Sequence, residues 1–253
     1  QVLFDRLTGG ELPGPGAIAA TLGPAVDGRH LQLFAKDAEE QAFFTRIGAT
    51  GDVRRRDGDV VGLVGQNYNG NKIDWFLRRA LSYDLSWNPG TGEVTGTIEA
   101  RITNEAPASG LPRSIIGWGG DEVLGQSPVA DGENFMELSL FTAIPLRSVT
   151  VDGTPAPVSQ APQLGMRETW SYVRVPSQRT VVVRAEVAGR TDPGDEYVLR
   201  LLRQPTVVPD QVEVRIRIAG DWEATSVRGG EATGNGASAR WSADEPHELR
   251  LKV

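Results

Sequence analysis

Two short segments carry the residue types in this sequence that could bind a ligand. The first runs from Gly65 to Asp74 and places an asparagine at three alternate positions, Asn67, Asn69 and Asn71. Asparagine amides and backbone donors can hold sugar hydroxyls, so this segment is a candidate glycan contact. A structural alternative exists, because asparagines also satisfy backbone groups in turns and adopt left-handed conformations. Turn chemistry favours that alternative.

The second segment, Ser114 to Gly125, places Trp118 among glycines, with Asp121 and Glu122 close behind. An exposed indole could stack on a sugar ring beside carboxylates suited to acid–base chemistry. Adjacent residues of an extended chain point to opposite faces, so these two carboxylates alone do not form a catalytic pair. The alternative is a loop between strands with the indole folded onto the protein.

The remaining composition excludes several classes of function. Cysteine is absent, and the 2 histidines, His30 and His247, lie far apart, so neither a thiol nucleophile nor a His-rich metal site is available. Nucleotide-binding and hydrolase motifs are missing as well. We therefore predict no cofactor, no metal and no catalysis within this chain. A formal net charge of −7 argues against a nucleic-acid partner, and no apolar run is long enough to predict a membrane span.

Helix and strand patterns alternate over residues 1–70. Small and amphipathic runs predict helices over 13–25 and 38–46, the second beginning at Asp37 as its N-cap. Apolar alternation predicts strands at 30–34 and 60–64. Because the chain starts inside what reads as the end of a helix, we interpret this region as the tail of an upstream α/β domain.

Strict alternation begins at Ile73. A strand of about fifteen residues is predicted from Ile73 to Trp87, with Arg79 the one break in its apolar face. A turn at 88–92 leads into a return strand whose apolar positions include Val94 and Ile98, which predicts a hairpin. Further strands are predicted at 136–141, 148–151, 169–175, 179–187, 196–202, 212–218, 223–227 and 247–251.

This pattern predicts a mainly β fold, an immunoglobulin-like β-sandwich over residues 71–210 preceded by the small α/β segment. Residues 211–253 would form a C-terminal β extension of the sandwich or a small β unit.

Short motifs in a fixed order give the sequence a family resemblance. They include Arg29-His-Leu-Gln-Leu-Phe34, Gln66-Asn67, Asn71-Lys-Ile-Asp74, Asn104-Glu-Ala-Pro107 and Gln204-Pro205 with Pro209-Asp210. In this order they resemble the C-terminal half of the domain-of-unknown-function 4012 family of largely actinobacterial, membrane-anchored proteins. The resemblance spans most of residues 29–210. It implies a longer parent, anchored through an N-terminal segment outside this chain, and an extracytoplasmic place in the cell envelope.

Three hypotheses about function remain open. The first is a non-catalytic structural or accessory module of an envelope protein, whose partner is the N-terminal half of the same protein or a companion chain. The second is the glycan-binding part of an enzyme that modifies envelope polysaccharide and keeps its catalytic residues upstream. The third is a subunit of a surface assembly that pairs through strand edges.

Overall fold

The computed structural model describes residue 9 and residues 14–53, 57–118, 129–244 and 247–253. The chain divides into two compact units, Gln1–Asp52 and Val53–Val253. The second unit is mainly β and contains two mixed sheets. No helix among the described ranges is both long enough and apolar enough to cross a membrane.

The first unit contains helices α1 (Pro15–Asp27) and α2 (Ala38–Arg46). The predicted N-cap of α2 is confirmed, since the Asp37 carboxylate accepts hydrogen bonds from the amides of Glu39 and Glu40 at 2.9 and 3.0 Å. The predicted strand at 30–34 is wrong. That segment lies between the helices without a sheet partner, and one amide, Leu33 N, donates to Ala49 O at 2.7 Å.

Fifteen strands make up the sheets of the second unit within the described ranges. They are β1 (Asp59–Asn67), β2 (Leu77–Trp87), β3 (Glu93–Asn104), β4 (Asn134–Thr142), β5 (Leu146–Val151), β6 (Thr154–Pro155), β7 (Ser159–Gln163), β8 (Met166–Val175), β9 (Arg179–Arg190), β10 (Glu196–Leu202), β11 (Gln211–Ile218), β12 (Ser226–Arg228), β13 (Glu231–Thr233), β14 (Gly236–Ser242) and β15 (Glu248–Lys252). A short helix α3 (Arg113–Ile116) precedes Gly117 and Trp118.

Each sheet contains one parallel pair among antiparallel neighbours. The seven-stranded sheet has the order β12-β15-β10-β1-β4-β8-β7, in which β1 and β10 run parallel. The eight-stranded sheet has the order β13-β14-β11-β2-β3-β9-β5-β6, in which β11 and β2 run parallel. Because β11 follows β10 in the chain, the β10–β11 connection crosses from one sheet to the other.

The predicted hairpin is confirmed with one change at its start. Strands β2 and β3 pair in antiparallel register from Leu77↔Asn104 to Trp87↔Val94. The first four residues of the predicted long strand form a 3-10 helix instead, Ile73–Phe76. The Asn71 side chain accepts a hydrogen bond from the Ile73 amide at 3.1 Å and so turns the chain before the strand begins.

The boundary between the two units lies before Val53 and not at residue 70. Strand β1 pairs with β4 and β10, so it belongs to the second unit, which starts at Val53. The strands after residue 210 pair within both sheets, and so extend them. Local pattern does not predict strands β7 and β14. Strand β7 is polar and contains Pro162, and strand β14 buries mainly alanines.

One hydrophobic core lies between the two sheets. Strand β2 contributes every second residue from Leu77 to Trp87, including Leu85, which is 1% exposed. The facing side is formed by residues of the seven-stranded sheet such as Leu63 and Leu138. The alternation of apolar and polar residues in the sequence therefore corresponds to the two faces of the strand, one toward the core and one toward solvent.

A buried carboxylate joins the two sheets inside this core. Asp59 of β1 accepts hydrogen bonds from the hydroxyls of Tyr83 at 3.0 Å and Tyr197 at 2.6 Å. Burial raises the pKa of Asp59 to about 6, against the lowering effect of hydrogen bonds from Tyr197, the amides of Val60 and Ala143, and Tyr83. Asp59 is 1% exposed.

Leu85→Ala should lower the free energy of unfolding by about 2–5 kcal/mol, because it leaves a cavity in the shared core. The matched control is Leu111→Ala, whose side chain is 38% exposed and should cost under about 0.5 kcal/mol. Equilibrium denaturation measures both. Equal, small effects would show that Leu85 does not face the core.

Asp59 should make the protein less stable as the pH rises. Its pKa is raised in the folded state, so its contribution is fully present below about pH 4 and is lost as the pH passes through about 6. The shift corresponds to about 3 kcal/mol. Denaturation from pH 4 to pH 8 gives the unfolding free energy of the native protein minus that of Asp59→Asn, and this difference should fall as the pH rises. A difference that stays constant or increases with pH would contradict the raised pKa of Asp59.

Candidate functional site

The amide-rich segment forms a closed turn at the end of β1. The Asn67 amide donates to the backbone and side-chain oxygens of Asn71 at 3.2 and 3.1 Å, and the Asn69 backbone amide donates to the Asn67 side chain at 2.7 Å. Each asparagine thus replaces a backbone partner that the turn lacks. The positive φ of Gly70, 66°, is the conformation that lets the chain reverse here.

Asn69 lies entirely inside the protein. Its amide donates to the carbonyl of Glu133 at 2.7 Å, and its side-chain oxygen accepts from the amide of Phe135 at 2.6 Å. The residue is 0% exposed, so its side chain attaches the turn to β4 and offers no surface to a ligand. Asn67 and Asn71 are half-buried.

The structure brings the two candidate segments together. The Asn71 amide donates to the carbonyl of Gly117 at 2.6 Å, so the turn holds the backbone next to Trp118. The Trp118 indole is half-buried, and its ring centroid lies 6.3 Å from that of Phe135. Asp121 and Glu122, the other two candidate residues, lie outside the described residues.

Two further aromatic rings lie next to Phe135. Tyr172 lies 5.7 Å and Tyr68 5.9 Å from it, and the two tyrosines meet edge to face at 5.4 Å. Phe135 is 2% exposed, whereas Tyr172 is 44% exposed. We call Tyr68, Trp118 and Tyr172 the aromatic surface. It lies on the face of β4 and β8 that points away from the core.

Polar groups stand around the aromatic surface. The Tyr68 hydroxyl donates to Glu137 at 3.4 Å, and the Arg174 guanidinium lies 5.3 Å above the Phe135 ring. The hydrogen bond with Tyr172, burial and the nearby Glu137 carboxylate raise the pKa of Tyr68 to about 12. Tyr68 therefore keeps its proton throughout the physiological pH range. Aromatic rings can pack against the apolar C–H face of a sugar, while neighbouring hydroxyl, carboxylate and guanidinium groups can form hydrogen bonds with its hydroxyls.

A buried ion pair supports the turn from the core side. The Arg79 guanidinium makes two hydrogen bonds of 2.7 Å to the Asp210 carboxylate and one of 2.9 Å to Gln204. Gln204 in turn bonds both backbone groups of Gly65, at 2.9 and 2.8 Å. A Cβ atom at Gly65 would lie 3.0 Å from Arg79 Nη1, so a larger residue there would displace the guanidinium by a few tenths of an ångström. We call these four residues the bridge.

The sequence contains a signal for the bridge. Arg79 interrupts the apolar positions of β2, yet it points inward like Leu77 and Leu81 and is 7% exposed. A charged residue at a core position requires a buried partner. That partner, Asp210, stands 131 residues away in the chain, beyond the reach of local patterns.

Metal-ligand groupings of three or more His, Cys, Asp or Glu do not occur within the described ranges. No family model and no curated protein matches the sequence. Solved structures show a distant likeness to this chain. One is a protein described as a candidate nutrient-binding protein from Legionella pneumophila (10% identity, TM-score 0.41, 78% of this chain and 72% of that one).

Two enzymes show a similarly distant likeness. They are the M1 zinc metallopeptidase of Deinococcus radiodurans (10% identity, TM-score 0.38, 70% of this chain) and the leukotriene A4 hydrolase of Saccharomyces cerevisiae (9% identity, TM-score 0.39, 74% of this chain). The chain spans 42% and 30% of these enzymes, respectively. Similarity at this level supports no inference about function.

Asp210→Asn should lower the free energy of unfolding by about 3–5 kcal/mol, because it leaves the Arg79 charge buried without a counterion. The control is Glu105→Gln, which breaks the exposed pair of Glu105 with Arg78 (3.0 Å) and should cost under about 1 kcal/mol. Urea denaturation compares the two variants. Equal costs would mean that the bridge is not a structural requirement.

Proposed function

We propose that this chain is a non-catalytic accessory module of a bacterial cell-envelope protein and that its aromatic surface binds envelope polysaccharide. The observation that carries the proposal is the hydrogen bond from Asn71 to Gly117, which joins the amide-rich turn to the backbone next to Trp118. Two segments with glycan-binding composition, 46 residues apart in sequence, meet at one place.

The arrangement of the rings supports a saccharide as the ligand. Tyr172 exposes part of its ring on the sheet face, and Trp118 and Tyr68 flank the same Phe135. Rigid aromatic rings lose little conformational entropy on binding, and their apolar faces can cover the C–H face of a sugar. Glu137 and Arg174, at the rim, can then take hydroxyl or acidic substituents.

The family, the fold type and the location belong to the same proposal. The motifs of residues 29–210 support membership in the domain-of-unknown-function 4012 family, with an extracytoplasmic position and a membrane anchor elsewhere in the parent. Two sheets around one core support a β-sandwich of immunoglobulin-like type, although each sheet has one parallel pair. Under this proposal the chain works with the N-terminal half of its parent or with a companion chain.

The sheet edges favour the glycan-binding hypothesis over the hypothesis of a surface assembly that pairs through strand edges. The outermost strands are β12, β7, β13 and β6, which have 3, 5, 3 and 2 residues. Pro155 and Pro162 occupy two of them. Short edges with proline offer few free backbone groups to an incoming strand, so the assembly hypothesis has less support.

Tyr172→Ala and Trp118→Ala should each weaken binding to purified envelope polysaccharide by about tenfold or more, as expected for central aromatic contacts. Isothermal titration calorimetry measures the affinity. The matched control is Trp222→Ala, which removes an indole that is 45% exposed elsewhere on the protein and should leave affinity unchanged.

Thermal denaturation of the same variants guards against misfolding as the cause. Tyr172→Ala should stay within about 0.5 kcal/mol of the parent, as surface changes do. Native affinity in both aromatic variants, or an equal loss in Trp222→Ala, would contradict the proposed surface.

A further inference from the structure

A cavity of about 170 Å³ opens beside the bridge, on the other side of the turn from the aromatic surface. Its polar wall includes Asn67, Asp74 and Arg79, and its apolar wall includes Leu77 and Met136. Residues 204–208, in the β10–β11 connection, close one side. The cavity thus lies between the two sheets, where the chain crosses from one to the other.

Asp74 is the acidic side chain that lines the cavity. Arg79 offers no free charge, because Asp210 binds its Nε and Nη2 atoms and Gln204 binds Nη1. Within the described ranges Asp74 forms no ion pair of its own. Burial raises the pKa of Asp74, whereas hydrogen bonds from the amides of Asn67 and Asn134 and the nearby Arg79 charge lower it. Asp74 is exposed as a residue and also lines the cavity, so its carboxylate can be approached from solvent.

The opposite wall is apolar and already fixed. Leu77 and Met136 belong to the strands β2 and β4 and are 8% and 1% exposed. Gln204 is held by Gly65, and Pro205 has a fixed φ and restricts the backbone of Gln204 before it. A wall of this kind needs no reordering when a ligand enters, so little of the binding free energy is lost.

Size limits the ligand further. At about 30 Å³ per water molecule, the cavity has room for roughly five or six waters. A ligand of about the same number of non-hydrogen atoms would fill it. An anion would meet the Asp74 carboxylate, and a purely apolar molecule would leave that carboxylate without its water.

We propose that this cavity binds a small molecule that carries a primary ammonium group on a short apolar stem. The ammonium group meets Asp74, and the stem lies along Leu77 and Met136. This site is separate from the aromatic surface and does not depend on the proposed function.

The chain provides its own pair of NMR probes, because it has 2 methionines. Met136 lines the cavity, whereas Met166 begins β8 and lies outside it. With methyl-¹³C methionine, n-butylammonium chloride should shift the Met136 signal in a saturable manner and leave Met166 unchanged. Neutral 1-butanol and sodium butyrate, of similar size, should bind about tenfold more weakly or worse, since each lacks the charged hydrogen bond.

Asp74→Asn should weaken n-butylammonium binding by about tenfold or more. The variant keeps an oxygen for the Asn134 amide, and an unchanged Met166 signal shows that it folds. Asp221→Asn, at an exposed position elsewhere, should bind like the native protein. Equal affinity for ammonium and alcohol, native affinity in Asp74→Asn, or no Met136 shift would overturn the proposal.

Discussion

The ion pair between Arg79 and Asp210 is the interaction on which the arrangement of the site depends. A guanidinium at a core position of β2 is tolerable only when its charge and its donors are satisfied inside the protein. Asp210 supplies the charge, and Gln204 carries the network to Gly65 of β1. Because β1 and β2 belong to different sheets, the network fixes one sheet relative to the other at the end of β1.

The turn that follows β1 is positioned by that fixed end. Asn67 closes the turn onto Asn71, and Asn69 attaches it to β4 next to Phe135. Asn71 then holds the backbone at Gly117. A chain of side-chain-to-backbone hydrogen bonds therefore leads from a buried charge to the half-exposed indole of Trp118. The asparagines act as the frame of the site, while the aromatic rings provide its surface.

The same turn separates two environments of opposite character. On the outer side, Tyr68 and Tyr172 offer aromatic area around Phe135. On the core side, Asp74 and Met136 border a small cavity. Both depend on the position of the turn, because Asn67 lines the cavity while Asn71 holds the loop that carries Trp118.

Much of the fold could be predicted from local pattern, because alternation reports directly on strand faces. The hairpin of β2 and β3 followed from it, and so did the N-cap at Asp37. Pattern failed where a side chain far away in sequence decides the structure. Asp210, the counterion of Arg79, and Tyr197, one of the two tyrosine partners of Asp59, lie more than one hundred residues away in sequence, so no local window contains both members of either pair.

Only the part of the candidate site that lies in local segments could be predicted from the sequence. Composition identified the amide-rich turn and Trp118 as segments of interest, but Tyr172 and Phe135 had no local signal. They are ordinary strand residues that become a surface only when β4 and β8 pair, with Glu137 opposite Tyr172. Their role depends on the sheet and not on a motif.

A crystal structure of the chain with a short oligosaccharide from the envelope polysaccharide tests the central claim most directly. The account predicts a sugar ring packed against Tyr172 and Trp118, with a hydroxyl within hydrogen-bond distance of Glu137 or Arg174. A sugar bound only on the outer face of the eight-stranded sheet, beside the exposed pair of Arg215 and Asp84, would contradict it.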